Sequence, residues 1–310
     1  MLKKIINKLF KNNYTTIINN VVSNKETDML LLNNSVQNGR LWSQFLSQNK
    51  DIKSLHEAEF KVFSQWGDDG IIQYLINYLG IENKFFVEFG VEDYMESNTR
   101  FLLLNNNWSG LVMDGNESNI SKIINNEIYW KHDLIAKSAF ITSENINQLI
   151  DEEEINGNIG LLHIDIDGND YWVWKALKTV DPIIIIIEYN SVFGCDRAIT
   201  IPYQQDFRRT SAHHSNLYFG ASILALCDLA DEKGYAFIGC NSAGNNAYFV
   251  KKENLKKIKP LTAEQGYVES KFRESRSEEG NLNYIRGKKR LESIKGLPIF
   301  NIRTNKIENL

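Results

Sequence analysis

Five consecutive isoleucines, at positions 183–187, run straight into Glu188. A segment that is apolar at every residue has no polar face to turn to water, so it reads as a strand covered on both sides. It is far too short to cross a bilayer, which takes about 20 residues. Segments of the same kind recur at Lys84–Gly90 (KFFVEFG), Gly110–Asp114 (GLVMD) and Gly160–Asp167 (GLLHIDID). Apolar residues at helical spacing fall between or beside them, at Asp68–Leu79, Ser97–Asn105, Ile141–Glu153, Trp172–Leu177 and Ala221–Lys233. A short further strand is expected over Tyr129–Asp133. Strands alternating with helices predict a mostly parallel sheet with helices on both faces. Ala236–Gly239 and Ala247–Val250, joined by CNSAGNN, predict an antiparallel hairpin at the edge of that sheet.

Three regions follow from this pattern. Residues 1–55 form a helical extension, residues 56–255 the α/β domain, and residues 256–310 a charged appendage or lid. At the start of the chain, Leu2, Ile5, Ile6, Leu9 and Phe10 fall at helical spacing with four lysines between them. Residues 1–12 could touch an anionic membrane surface, or pack on the body or a partner. No continuous apolar stretch marks a signal peptide there. The chain has 35 basic and 39 acidic residues, a net charge of -4. That balance lacks the basic excess of a nucleic-acid binder. Cys195, Cys227 and Cys240 form no CxxC pair, which argues against a zinc site or a disulfide framework and for reduced thiols in a cytoplasmic protein. A homo-oligomer stays open.

The expected strands end in acid: Glu88, Asp114, Asp165 with Asp167, and Glu188. In an open parallel sheet, ligands bind beyond the carboxyl ends of the strands, so these carboxylates are expected to converge on one rim. Gly90 would let the backbone approach a ligand closely, or simply make a tight turn. Glu88 could receive a ligand ammonium or backbone amides. Asp114, at the end of the second strand, is placed to accept both hydroxyls of a ribose.

The blocks FSQWGDDGII, FFVEFGVEDYMESNTRFLL, WSGLVMDGNES, LLHIDIDGNDYWVWKAL, IIIEYNSVFG and YFGASILAL resemble the FkbM-type methyltransferases, in particular a branch associated with surface-polysaccharide genes. The resemblance covers roughly residues 56–300. It implies a Rossmann-like class I methyltransferase fold: seven strands, mostly parallel, the last antiparallel. It implies S-adenosylmethionine as cofactor and a small-molecule or saccharide acceptor. Glu88 and Gly90 correspond to the glycine-rich first motif, Asn98 and Gly115 join the cofactor site, Asp114 would hold the ribose, and Asp133 would sit near the adenine. The sequence departs from the usual motif: only Gly90 remains, followed by Val91, Glu92, Asp93 and Tyr94. Carboxylates there would repel the carboxylate of the cofactor. Glu92 and Asp93 must point away, or meet the cofactor's ammonium or a metal.

Asp165, Asp167 and Asp170 lie within six positions, with Glu188 after the next strand. Hard oxygen ligands at adjacent strand ends suit Mg²⁺ or Ca²⁺, and the block resembles metal-dependent sugar O-methyltransferases. Asp165, Asp167 and Glu188 are the candidate ligands; Asp167 and Asp170 could equally shape a turn or cap a helix. His213 and His214, in the long polar stretch 203–220, are candidate general bases together with Asp165. Arg208 and Arg209 could clamp an anionic group or lie solvated, and His163 reads as a satisfied core residue. Methyl transfer to a sugar hydroxyl is the leading expectation. A metal-dependent transferase or hydrolase on a nucleotide sugar, and a non-catalytic partner protein, are the alternatives.

Overall fold

The computed structural model describes residues 27, 29–49 and 52–310. The basic amphipathic segment 1–12 lies outside the described residues. Seven strands form the main sheet: β1 (Phe85–Phe89), β2 (Ser109–Asp114), β3 (Leu134–Ser138), β4 (Gly157–Ile164), β5 (Val180–Glu188), β7 (Tyr235–Cys240) and β8 (Asn246–Lys251). Their spatial order is β3-β2-β1-β4-β5-β8-β7. The first five pair in parallel, and β8 runs antiparallel to both β5 and β7. This is a Rossmann-like fold with the strand arrangement of class I methyltransferases, and the expected hairpin closes one edge.

The isoleucine run explains why β5 is central. Ile185 and Ile187 face one apolar cluster, while Ile184 and Ile186 face the other. Because side chains alternate along a strand, a strand covered on both faces must be apolar throughout. Helices Ile146–Asp151, Asp170–Ala176 and Ile223–Glu232 cover one face; Asp68–Leu79, Arg100–Asn106 and Glu117–Ile124 cover the other. The helix Asp68–Leu79 has two aspartates in its first turn, where they favour the positive end of the dipole, and Gly80 at φ 64° ends it.

The strand expected at Tyr129–Asp133 is instead the helix Glu127–Lys131, followed by β3 from Leu134. The Asn126 side chain accepts the Ile128 amide as an N-cap, and Glu127 pairs with Lys131 one turn on at 2.7 Å. Two adjacent aromatics imitated a strand, but the cap and the ion pair decide for a helix.

A three-stranded sheet flanks the body, made by β6 (Ile199–Thr200), β9 (Pro298–Asn301) and β10 (Lys306–Asn309) in the order β10-β9-β6. The C-terminal strands thus pair with a segment that leaves β5, around a third core of Phe193, Ile199, Phe207, Phe219 and Ile299. Residues 29–48 form a helix docked through Gly39, Ser43 and Leu46; the Ser43 hydroxyl donates to Gln73 at 2.7 Å. No described helix is long and apolar enough to cross a membrane.

Candidate functional site

A cavity of about 810 Å³ opens at the carboxyl ends of the parallel strands. Gly90 forms its floor. At φ 74° Gly90 occupies the left-handed region, and a Cβ there would stand 1.6 Å from the Asp165 carbonyl oxygen. Two strand ends therefore meet at a distance only glycine permits. Two nearby non-glycine residues also take left-handed backbone, Glu92 at φ 47° and Asp167 at φ 56°. Such conformations cost on the order of 1–3 kcal/mol and concentrate where function requires them.

On one side, Asp114 ends β2. One of its oxygens accepts the Glu92 amide at 2.8 Å; the other accepts the Asn116 amide at 2.8 Å and the Asn119 side chain at 3.3 Å. The carboxylate is thereby fixed by backbone on both edges and lines the cavity beside Gly115. Glu92 also lines it, whereas Asp93 turns out toward Lys122 at 3.8 Å.

Glu88 borders the cavity and is bonded throughout to the chain itself. Its oxygens accept the Ser97 hydroxyl, the Asn98 and Thr99 amides, the Thr99 hydroxyl and His163 Nδ1. Burial alone would raise this carboxyl, but the bond from His163 and the hydroxyl bonds bring it below the usual range. Of the two roles the sequence left open for it, the structure shows the bonds to backbone amides. It holds the loop 97–99. His163 is buried with both ring nitrogens partnered, as expected, and borders the cavity: Nδ1 faces Glu88 at 2.9 Å and Nε2 faces the Asn98 side-chain Nδ2 at 3.1 Å. Asn98 lines the cavity.

Asp133 does not reach the site. Because the residues before it are helical, it precedes β3 and stands exposed at the amino end of the sheet, where its carbonyl accepts the Gly110 amide. An adenine contact at the opposite rim is therefore ruled out for Asp133.

On the other side, Asp165, Asp167 and Glu188 offer carboxylate oxygens within 4.8 Å of one another. Two full charges at that spacing repel by roughly 3 kcal/mol at an effective dielectric of about 20. Burial first and the neighbouring Asp167 second push the Asp165 carboxyl up to about 7. Burial and Asp165 likewise hold Glu188 well above the usual carboxylate range. Burial and mutual repulsion thus oppose full ionisation of Asp165 and Glu188. Arg209 relieves part of that repulsion: Nη1 donates to Asp167 at 2.7 Å, Nη2 bonds Glu274, and the guanidinium lies 3.8 Å over the Phe219 ring. Arg209 is thus a largely covered partner of the acids and not a solvated surface arginine.

Buried acceptors remain open here. Glu188 Oε2, Asn169 Oδ1 and Asn246 Oδ1 have no hydrogen-bond partner among the described residues, and all three residues line the cavity. An unmet buried acceptor costs about 1–3 kcal/mol, so three in one cavity favour a ligand.

His213 and His214 are not brought to the site. Neither lines the cavity; their rings lie 4.1 Å apart and His213 Nδ1 is bonded to Ser215 Oγ at 2.8 Å. The short helix Arg209–Ala212 turns Arg209 inward, and the histidines follow it outward. Of the stretch 203–220, Phe207, Arg208 and Arg209 line the cavity. Sequence reasoning missed Trp66, Phe272, Asn169 and Asn246. Trp66 stood in a quoted block without a role, and Phe272 carries no local signal.

No protein-family model matches the chain, and no curated protein matches it. Among solved structures, it is similar to the O-methyltransferase from Bacillus cereus in complex with SAH, at 16% identity, over 70% of this chain and 100% of that one, TM-score 0.40. It is similar to the N-terminal domain of EvdMO1 with SAH bound, at 11% identity, over 61% of this chain and 80% of that one, TM-score 0.40. A third is the methyltransferase domain of bacterial CtHen1-C, at 11% identity, over 59% and 97%, TM-score 0.38.

Proposed function

We propose that this chain is an S-adenosylmethionine-dependent O-methyltransferase acting on a sugar hydroxyl of a surface polysaccharide or its nucleotide-sugar precursor. The observation that carries the reading is Asp114. In this strand order, a carboxylate at the end of β2, fixed by the Glu92 and Asn116 amides across from the Gly90 turn, suits the two hydroxyls of a ribose. Asn98 and Gly115 would line the same half of the cavity. When bound, the cofactor supplies an electrophilic sulfonium methyl. The chain's own work is then positioning: Gly90 brings the two halves of the cavity together, and the Glu88–His163 pair keeps the loop 97–99 in place.

Asp165, Asp167 and Glu188 fit a divalent cation by the chemistry of their oxygens and by the unpartnered Oε2 of Glu188. A cation there would bind and polarise acceptor hydroxyls. Without one, Asp165 is the general base nearest to hand, since neither histidine reaches the cavity. The same acidic cluster favours a second reading, a metal-dependent transferase or hydrolase on a nucleotide sugar. Calorimetry with S-adenosylmethionine and S-adenosylhomocysteine, each with and without Mg²⁺, separates the two. Saturable binding of both supports methyl transfer; no binding under either condition removes it.

A further inference from the structure

Two aromatic rings from distant parts of the chain meet at the cavity. Trp66 and Phe272 stack with centroids 5.9 Å apart and planes 21° from parallel, and both line the cavity. Trp66 keeps 38% of its surface exposed. Two distant stretches of chain supply the pair, one before the helix Asp68–Leu79 and one in the C-terminal region. It is therefore assembled only in the folded protein.

Two side-chain amides that line the cavity each leave an oxygen open. Asn169 Nδ2 donates to the Gln204 carbonyl at 2.8 Å, and Asn246 Nδ2 donates to Asp68 at 3.1 Å. Those partners fix which amide atom is oxygen, so both open atoms are acceptors. With Glu188 Oε2 they make three buried acceptor oxygens without partners among the described residues. Of the two arginines that line the cavity, Arg209 already gives Nη1 to Asp167, Nη2 to Glu274 and Nε to the Asn216 carbonyl, and the Arg208 guanidinium packs over the Phe140 ring.

We infer that the part of the cavity lined by Trp66, Asn169 and Asn246 is a subsite for an uncharged hexopyranose ring, its apolar face on Trp66 and its hydroxyls donating to Asn169 and Asn246. The inference rests on the methyl-transfer reading for its purpose, and narrows the acceptor to the unphosphorylated sugar. Hydroxyls supply donors to open acceptors, and a pyranose offers a flat C–H face to an indole. A phosphate or carboxylate brings only acceptors to these open oxygens and meets Glu188, Glu274 and Asp165, while Arg208 is held over the Phe140 ring.

The test titrates the full chain, with and without S-adenosylhomocysteine, against the methyl glycopyranosides of glucose, galactose, mannose and rhamnose. Glucuronic acid and glucose 1-phosphate are the anionic counterparts, and tryptophan fluorescence and calorimetry are the readouts. At least one neutral glycoside is expected to saturate the protein, and its anionic counterparts to bind at least tenfold more weakly. Trp66→Ala and Asn169→Ala should each weaken that glycoside about tenfold while the affinity for S-adenosylhomocysteine stays within twofold. Should Trp66→Ala fail to fold by circular dichroism, Phe272→Leu takes its place. Absence of saturation by every neutral glycoside overturns the inference, as does tighter binding of the anionic sugars or wild-type affinity in both variants. The cofactor isotherm is read separately, so loss of the methyltransferase reading and loss of the subsite are distinguishable.

Discussion

Gly90 and Asp165 touch through backbone alone: the carbonyl oxygen of Asp165 occupies the place where a Cβ on Gly90 would be, 1.6 Å away. The contact joins the end of β1 to the end of β4. It therefore sets the spacing between Asp114, on one side of the cavity, and the Asp165–Asp167–Glu188 cluster on the other. No side chain can stand there without pushing those halves apart.

Gly90→Ala is accordingly expected to destabilise the fold by about 3 kcal/mol or more, through both the overlap and the φ of 74°. Chemical denaturation of the two proteins measures it. A shift of the midpoint smaller than that of a typical surface alanine substitution would mean the two strand ends are looser than the structure shows.

Asp114→Asn should raise the dissociation constant for S-adenosylhomocysteine about ten- to a hundredfold. Losing a hydrogen bond to a charged acceptor costs about 1.5–3 kcal/mol, and each 1.4 kcal/mol is a factor of ten. Calorimetry at constant pH reads the change. Undiminished affinity would show that the ribose is held elsewhere.

Stability should rise as pH falls from about 8 to about 5.5. Burial raises the folded-state pKa of Asp69 to about 6, of Asp170 to about 6 and of Asp165 to about 7. A carboxyl raised in the folded state contributes stability below its unfolded value and loses it as pH rises through the folded one. Thermal melts across that range should show the trend, and Asp165→Asn should flatten it by removing the charge that has to be buried at high pH. Mn²⁺ should raise the melting temperature more at the alkaline end, where the cluster is ionised. An alkaline optimum with no effect of Asp165→Asn would show that these acids carry no such burden.

Replacing His213 and His214 together by alanine is expected to leave the affinities for S-adenosylhomocysteine and for neutral glycosides within about twofold, because neither ring lines the cavity. Arg209→Ala, by contrast, removes the counter-ion of Asp167 and Glu274. It should perturb glycoside binding and lower the melting temperature. Parallel titrations of the two variants decide; a histidine effect as large as the arginine effect would place the histidines in the site after all.

The sequence by itself determined the layered α/β architecture, the strand ends at Glu88, Asp114, Asp165 and Glu188, and the edge hairpin. These follow from local periodicity: a doubly covered strand must be apolar at every residue, and a parallel sheet must present its carboxyl ends together. Local pattern also misled where two signals competed, as at Tyr129–Asp133, where an asparagine cap outweighed two aromatics. Only the tertiary structure decided the rest. Saturation of Glu88 depends on hydroxyls and amides nine to eleven residues on and on His163 from another strand. The inward turn of Arg209, the outward turn of the two histidines and the meeting of Trp66 with Phe272 depend on segments far apart in the chain. A side chain's chemistry is written in its residue type, but whether it meets a ligand, a proton or its own backbone is settled by packing, which carries no local periodicity to read.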